Sequence, residues 1–173
     1  VDGSGMSNTE ICKYFSDVRN NKDIKAVVFR VNSPGGSALA SEEIWREVAL
    51  TNKTKPVVVS MGDLAASGGY YASTAASGIF ANPSTISGSI GVFGVIPYTG
   101  KMFENKLGIE FDYATTNSHS VFSLNKKLSD EELQITQEEV DNIYQLFLKR
   151  VADGRGMTVE EVHKIARGRV WTG

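Results

Sequence analysis

Ser67 sits in Ala65-Ala66-Ser67-Gly68-Gly69, among the smallest side chains a protein can carry. A serine hydroxyl becomes a nucleophile when a base takes its proton and hydrogen-bond donors receive the oxyanion it creates. Small neighbours let a substrate carbonyl come close. The local pattern predicts a small-residue helix through Ala65–Ala72, whose first amides would be unpaired and would form the positive end of the helix dipole. Gly68 and Gly69 each cost such a helix about 1 kcal/mol relative to alanine, which points to close packing or to substrate approach. A second glycine loop, Asn32-Ser33-Pro34-Gly35-Gly36, offers outward backbone amides and close backbone approach. Taken singly, each feature is equally what a packed helix or a tight turn produces.

A serine nucleophile needs a base, and none follows from the residues alone. The histidines are His119 and His163. His163 lies in a polar, capped terminal helix and reads as a surface residue. His119, in Asn117-Ser118-His119-Ser120, reads as a solvated loop residue. A lysine serves if burial keeps it neutral, but Lys126 and Lys127, just before a capping box, read as a wet loop. The single cysteine, Cys12, allows no internal disulfide and no zinc spacing, and reads as a small apolar helix residue. No metal or cofactor motif is present. Asp63 is the one acidic residue near the serine motif, and its position suggests a cap for the serine helix or a residue that steadies its turn.

The elements that must position these groups alternate. Ser7 with Glu10 opens a helix by a capping box, followed by Ile11, Phe15 and Val18 at helical spacing. Ala26–Val31 reads as a buried strand and the Pro-Gly-Gly loop as its turn. A helix follows over Leu39–Thr51, then a strand over Pro56–Ser60, with Met61-Gly62-Asp63 as a turn. Ile79–Ala81 is a short strand. Ser129 with Glu132 opens a long helix, and Thr158 with Glu161 caps a last one. Strand–helix repetition predicts an α/β fold with a mostly parallel sheet and right-handed crossovers. The length of 173 residues suits one domain with a real core. Residues 1–6 read as a foreign scar or ragged edge, residues 7–173 as the domain, cut short at its C-terminal end. A net charge of -2 excludes the basic footprint of a nucleic-acid binder. No apolar run reaches the 18 residues of a membrane span.

Four stretches together resemble the signal peptide peptidase A (protease IV) family. They are Arg30-Val31-Asn32-Ser33-Pro34-Gly35-Gly36-Ser37, Val57 through Tyr71, Ala81 through Gly94, and Ile165 through Gly173. The resemblance covers nearly the whole chain from about Ser7. It implies a spiral of β-β-α units like that of Clp protease and crotonase. It implies Ser67 as nucleophile, with backbone oxyanion donors at Gly68 and at Gly36 (or Gly35). It also implies a lysine base oriented by Ser89, and cleaved signal peptides or other apolar peptides as substrates. Ile90, Val92 and Phe93 are then candidates to line an apolar substrate groove, although plain core roles fit them equally. Family members work as homo-oligomers on the outer face of the bacterial cytoplasmic membrane, with no cofactor.

One departure matters. Where single-length members carry the lysine, this sequence reads Thr116-Asn117-Ser118-His119-Ser120, and Lys126 and Lys127 come several residues late. In double-length members one half brings the serine and the other the lysine. This chain resembles the serine-bearing carboxyl half, so its base is expected from another half or subunit and the isolated chain is expected to be inactive. His119 is the less favoured substitute. Two other functions fit the same residues: a crotonase-like acyl-CoA enzyme, which would need carboxylates over the substrate, and a non-catalytic scaffold or peptide-binding half.

Overall fold

The computed structural model describes residues 6–117 and 120–173. In chain order the elements are α1 (Asn8–Asn20), β1 (Val27–Ser33), α2 (Ala38–Asn52), β2 (Val57–Ala66), α3 (Gly68–Ser73), β3 (Gly78–Phe80) and β4 (Ile86–Gly88). They continue with α4 (Gly100–Leu107), α5 (Asp130–Arg155), α6 (Val159–Ile165) and β5 (Val170–Thr172). The chain divides into two compact units, one running to Val92 and resuming at Ile143–Gly173, the other Phe93–Asn142.

In the first unit, β1 pairs in parallel with β2. The other side of β2 carries β3 along its first half and β4 along its second, both parallel. β5 closes the sheet antiparallel to β4. The expected α/β architecture with a mostly parallel sheet is therefore present. Val57 and Val59 of β2 are fully buried and join Phe15 of α1, Val31 of β1 and Val48 of α2 in one core cluster. Full burial of each valine stabilises by roughly 1.5–3 kcal/mol. A second cluster joins Tyr71 of α3 and Ile90 to Phe147, Leu148 and Val151 of α5 and Val162 of α6.

The largest correction concerns β2. Met61-Gly62-Asp63 is not a turn, and Ala65-Ala66 are not helical: the strand runs to Ala66. Leu64, Ala65 and Ala66 pair with Ile86, Ser87 and Gly88, and that pairing overrides the helix preference of alanine. The turn signal marks an irregularity instead. Register passes from Val31↔Met61 to Ser33↔Ala65, two residues of β1 against four of β2. Asn32 fills the step: its Oδ1 accepts from the Leu64 amide at 3.2 Å, and a Cβ on Gly62 would lie 2.6 Å from that oxygen.

The second unit contains α4, which has no sequence start signal because Thr99 at its N-cap makes no capping bond. The Thr99 hydroxyl is bonded to Leu124 O and Asn125 Oδ1. The capping box at the start of α5 forms as expected: the Ser129 amide donates to Glu132 Oε2 at 2.8 Å and the Glu132 amide to Ser129 Oγ at 3.2 Å. Lys126 Nζ adds an ion pair to Glu132 Oε1 at 2.7 Å. The Lys126 ammonium, then the Ser129 amide, hold the Glu132 carboxyl down at about 2. A carboxyl lowered by folding stabilises above its unfolded value of about 4.3 and loses that contribution as pH falls toward its folded value. The first turn of α5 should therefore loosen between about pH 4.3 and 2. Cα chemical shifts of residues 129–133 followed across this acid range check this, and Glu132→Gln should flatten the titration.

Candidate active site

Ser67 occupies the corner between β2 and α3. Its φ of 50° and ψ of -120° fall in a sparsely populated region for a residue with a Cβ, which costs on the order of 1–3 kcal/mol. Backbone bonds hold it there. Its N–H donates to Gly88 O at 2.9 Å, and its carbonyl accepts from the Tyr71 amide at 2.8 Å. Ser67 is thus not inside a helix but at the strained strand-to-helix turn before one, the geometry that projects a nucleophile above the end of a sheet.

The Pro-Gly-Gly loop after β1 packs against this corner. Gly35 has φ 110°, and a Cβ there would lie 2.7 Å from Ser67 Cβ and 2.8 Å from the Gly68 nitrogen. On the far side, a Cβ on Gly68 would overlap Ser41 Oγ and lie 3.2 Å from the Gly36 nitrogen. The amides of Gly36 and Gly68 therefore share one small space beside Ser67, and Gly68, as the first residue of α3, has an amide without an intrahelical acceptor. Ser41 is held in place by donating to Ser37 O at 2.9 Å.

Ser89 enters through the backbone: Gly88, which accepts from Ser67, precedes it directly. Ser89 also has positive φ, 51°, and its N–H donates to Arg169 O at 2.6 Å. The fold thus brings together Ser67, Gly68, Gly35, Gly36 and the Ser89 backbone. Arg169, Ser41 and Asn32 support them; Asn32 and Arg169 fall within the motif stretches without a role assigned from sequence, and Ser41 falls in none.

The other candidates have surroundings of their own. Ile90 is 4% exposed within the second core cluster and presents no face to a substrate. Val92 is half-buried. Phe93 belongs to the second unit and is 86% exposed. Asp63 is an exposed residue of β2 and caps nothing; α3 has Ser67 at its N-cap with no side-chain capping bond. His163 is half-buried rather than a free surface residue, with Nδ1 3.0 Å from the Tyr144 hydroxyl. Lys126 is engaged with Glu132, and Lys127 is exposed. His119 lies outside the described residues. Among the described residues, Ser67 Oγ has no hydrogen-bonded base.

A polar brace stands behind α3. The Tyr71 hydroxyl donates to Glu42 Oε2 at 2.5 Å, and Arg150 of α5 forms an ion pair with the same carboxylate while its guanidinium lies 3.7 Å over the Trp45 ring. Burial, then the Glu42 carboxylate, pushes the Tyr71 hydroxyl up and keeps it a donor. One charge-assisted network thereby ties α3, and the corner it starts from, to α2 and α5.

The profile of Peptidase family S49 matches residues 49–173. The chain is 48% identical over 158 residues to Protease 4 of Salmonella typhi, covering 91% of this chain and 25% of that protein. It is 38% identical over 173 residues to the chloroplastic serine protease SPPA of Arabidopsis thaliana, covering 99% of this chain and 25% of that protein. It spans about a quarter of the length of these two relatives. Among solved structures, a point mutant of ClpP1 from Listeria monocytogenes superposes with a TM-score of 0.58 at 15% identity, over 94% of this chain and 72% of that one. That likeness concerns the fold alone and places the chain with the Clp protease architecture.

Proposed function

The chain belongs to peptidase family S49, and from that premise we propose that it carries the nucleophile of a serine endopeptidase whose base comes from outside the described residues. The observation that carries this reading is the strained Ser67 corner with the Gly36 and Gly68 amides beside it. Strain of that size persists where the surrounding structure overdetermines it, and such strain clusters at active sites.

In the proposed reaction a neutral lysine amine, from another half or subunit, takes the proton of Ser67 Oγ as Oγ attacks the peptide carbonyl. The Gly36 and Gly68 amides hold the resulting oxyanion, each donor worth about 3 kcal/mol. Collapse expels the amine, which leaves with the lysine proton, and water then releases the acyl group by the reverse steps. The lysine must be desolvated to stay neutral, and Ser89 orients it. Substrates are cleaved signal peptides or similar apolar peptides, held extended. The working form is a homo-oligomer at the extracytoplasmic face of the bacterial cytoplasmic membrane. Among the described residues no helix is long and apolar enough to cross a membrane, so attachment belongs to the rest of the protein.

The absence of a base bonded to Ser67 among the described residues also favours a second reading, a peptide-binding half without chemistry. Labelling with a fluorophosphonate, followed by mass-spectrometric site mapping, separates the two. It is run on the 173-residue chain and on the polypeptide as its organism makes it, with Ser67→Ala as control. Labelling of Ser67 only in the natural polypeptide is the expected result. Labelling in the short chain would place the base inside it and overturn the split site. No labelling in either would establish the non-catalytic reading.

A further inference from the structure

The two amides beside Ser67 belong to two different helices. Gly36 stands just before Ser37, the N-cap of α2, and Gly68 is the first residue of α3. Their separation therefore depends on how α2 lies against α3. Helix pairs ordinarily fix their spacing by fitting side-chain ridges into grooves. α2 and α3 pack together, but α3 begins with Gly68 and Gly69, which bring no side chains to interlock. A Cβ on Gly68 would overlap Ser41 Oγ of α2, and one on Gly69 would lie 3.0 Å from Ser33 O. The joint is close yet smooth, so packing alone does little to resist sliding.

Directional bonds supply what the glycines lack. Glu42 follows Ser41 on α2, and its Oε2 accepts from the Tyr71 hydroxyl at 2.5 Å. Tyr71 is 4% exposed and lies in the first turn of α3, and its own amide donates to Ser67 O at 2.8 Å. Arg150 of α5 donates through Nε to Glu42 Oε2 at 3.1 Å and through Nη2 to Glu42 Oε1. This fork fixes the plane of the carboxylate, and the guanidinium is itself seated on the Trp45 ring of α2. Tyr71 thus bonds to a carboxylate that cannot turn away. We propose that Glu42, Tyr71 and Arg150 are positioning residues for the oxyanion site, holding the Gly36 and Gly68 amides at the spacing a tetrahedral intermediate requires. The inference rests on the peptidase reading and deepens it: the spacing of the donors is set by side chains about one helical turn behind them.

The test compares the natural polypeptide with its Tyr71→Phe and Glu42→Gln variants. Tyr71→Phe removes only the hydroxyl, and both Glu42 oxygens keep their bonds to Arg150, so no charge is left unpaired. An apolar fluorogenic peptide gives kcat and KM. A peptide aldehyde, whose adduct with Ser67 carries an oxygen for the two amides, gives an inhibition constant. Tyr71→Phe should lower kcat about 10-fold, part of the roughly 10²–10³ that loss of a whole donor costs, and leave KM within about twofold. Affinity for the aldehyde should fall by the same factor as kcat. The pH profile of kcat should keep its shape, because the base is untouched. Glu42→Gln still offers the hydroxyl an oxygen but without the charge, and should lose about fivefold. It decides the question if Tyr71→Phe does not fold. Unchanged kcat and aldehyde affinity in the folded variants, with only the melting temperature lowered, would mean that the brace serves stability alone and would overturn the proposal. A raised KM at constant kcat overturns it in favour of a role in peptide binding, and a displaced pH profile in favour of a role at the base. A natural polypeptide whose Ser67 does not react with fluorophosphonate before any substitution sinks the peptidase reading itself, and this proposal with it.

Discussion

Gly35→Ala should leave the protein folded but slow fluorophosphonate labelling of Ser67 in the natural polypeptide by at least about 100-fold. Two effects act in the same direction. Gly35 has φ 110°, which a residue with a Cβ adopts only at a cost. Its new methyl would also stand 2.7 Å from Ser67 Cβ and 2.8 Å from the Gly68 nitrogen, both on rigid backbone-bound groups. The loop must then move, and Gly36 moves with it. Loss of one oxyanion donor alone costs about 10²–10³ in rate, which sets the scale. Gly36→Ala separates the two effects: nothing lies within 4 Å of its Cβ, so only the strain of its φ of 155° acts, and it should lose less reactivity than Gly35→Ala. Thermal unfolding of both variants separates site damage from unfolding. If Gly35→Ala labelled at the wild-type rate, the loop would have no part in the site.

The largest stability effect is expected at a position with no role in the chemistry. Gly154 lies within α5, where alanine would ordinarily stabilise a helix by about 1 kcal/mol. Here a Cβ would overlap the Thr74 carbonyl oxygen and approach its carbon to 2.9 Å. Thr74 is fully buried, and its carbonyl already accepts from Arg155 Nη2 at 3.1 Å. Neither partner can withdraw without losing packing or a hydrogen bond, so overpacking outweighs helix preference. Gly154→Ala should lose about 2 kcal/mol net, a fall of about 4–8 °C in melting temperature for a chain of this size. A rise instead would mean that α5 and the end of α3 are not in contact as described.

Both predictions turn on contacts between residues far apart in sequence, which sequence patterns do not reveal. Helix starts at Ser7, Ser129 and Thr158 were legible because a capping box is a local bond between residues three apart. Their structure agrees with that reading. The start of α4 was not legible, because its N-cap makes no such bond. β1 was legible as an apolar β-branched run. The second half of β2 was not: alanine and glycine carry little strand preference, and the bulge at Gly62 mimics a turn. β5 was also missed as a strand, since three exposed residues have no alternation to read and owe their extension to pairing with β4.

The serine motif and the Pro-Gly-Gly loop were recognisable as residue types and spacing, and so was the family they belong to. Sequence also determined that no base could be named, because titratable residues near a motif in sequence need not be near it in space. The tertiary structure decided that Ser67 lies on a strained corner rather than in a helix. It placed Gly35 and Gly36 against that corner, let Arg169 hold Ser89, and put Ile90 in the core. Local sequence sets caps, periodicity and backbone freedom, all of which act over a few residues. The Ser67 corner is made by strand pairing and by the absence of side-chain carbons at Gly35 and Gly68, which only the packed sheet brings face to face.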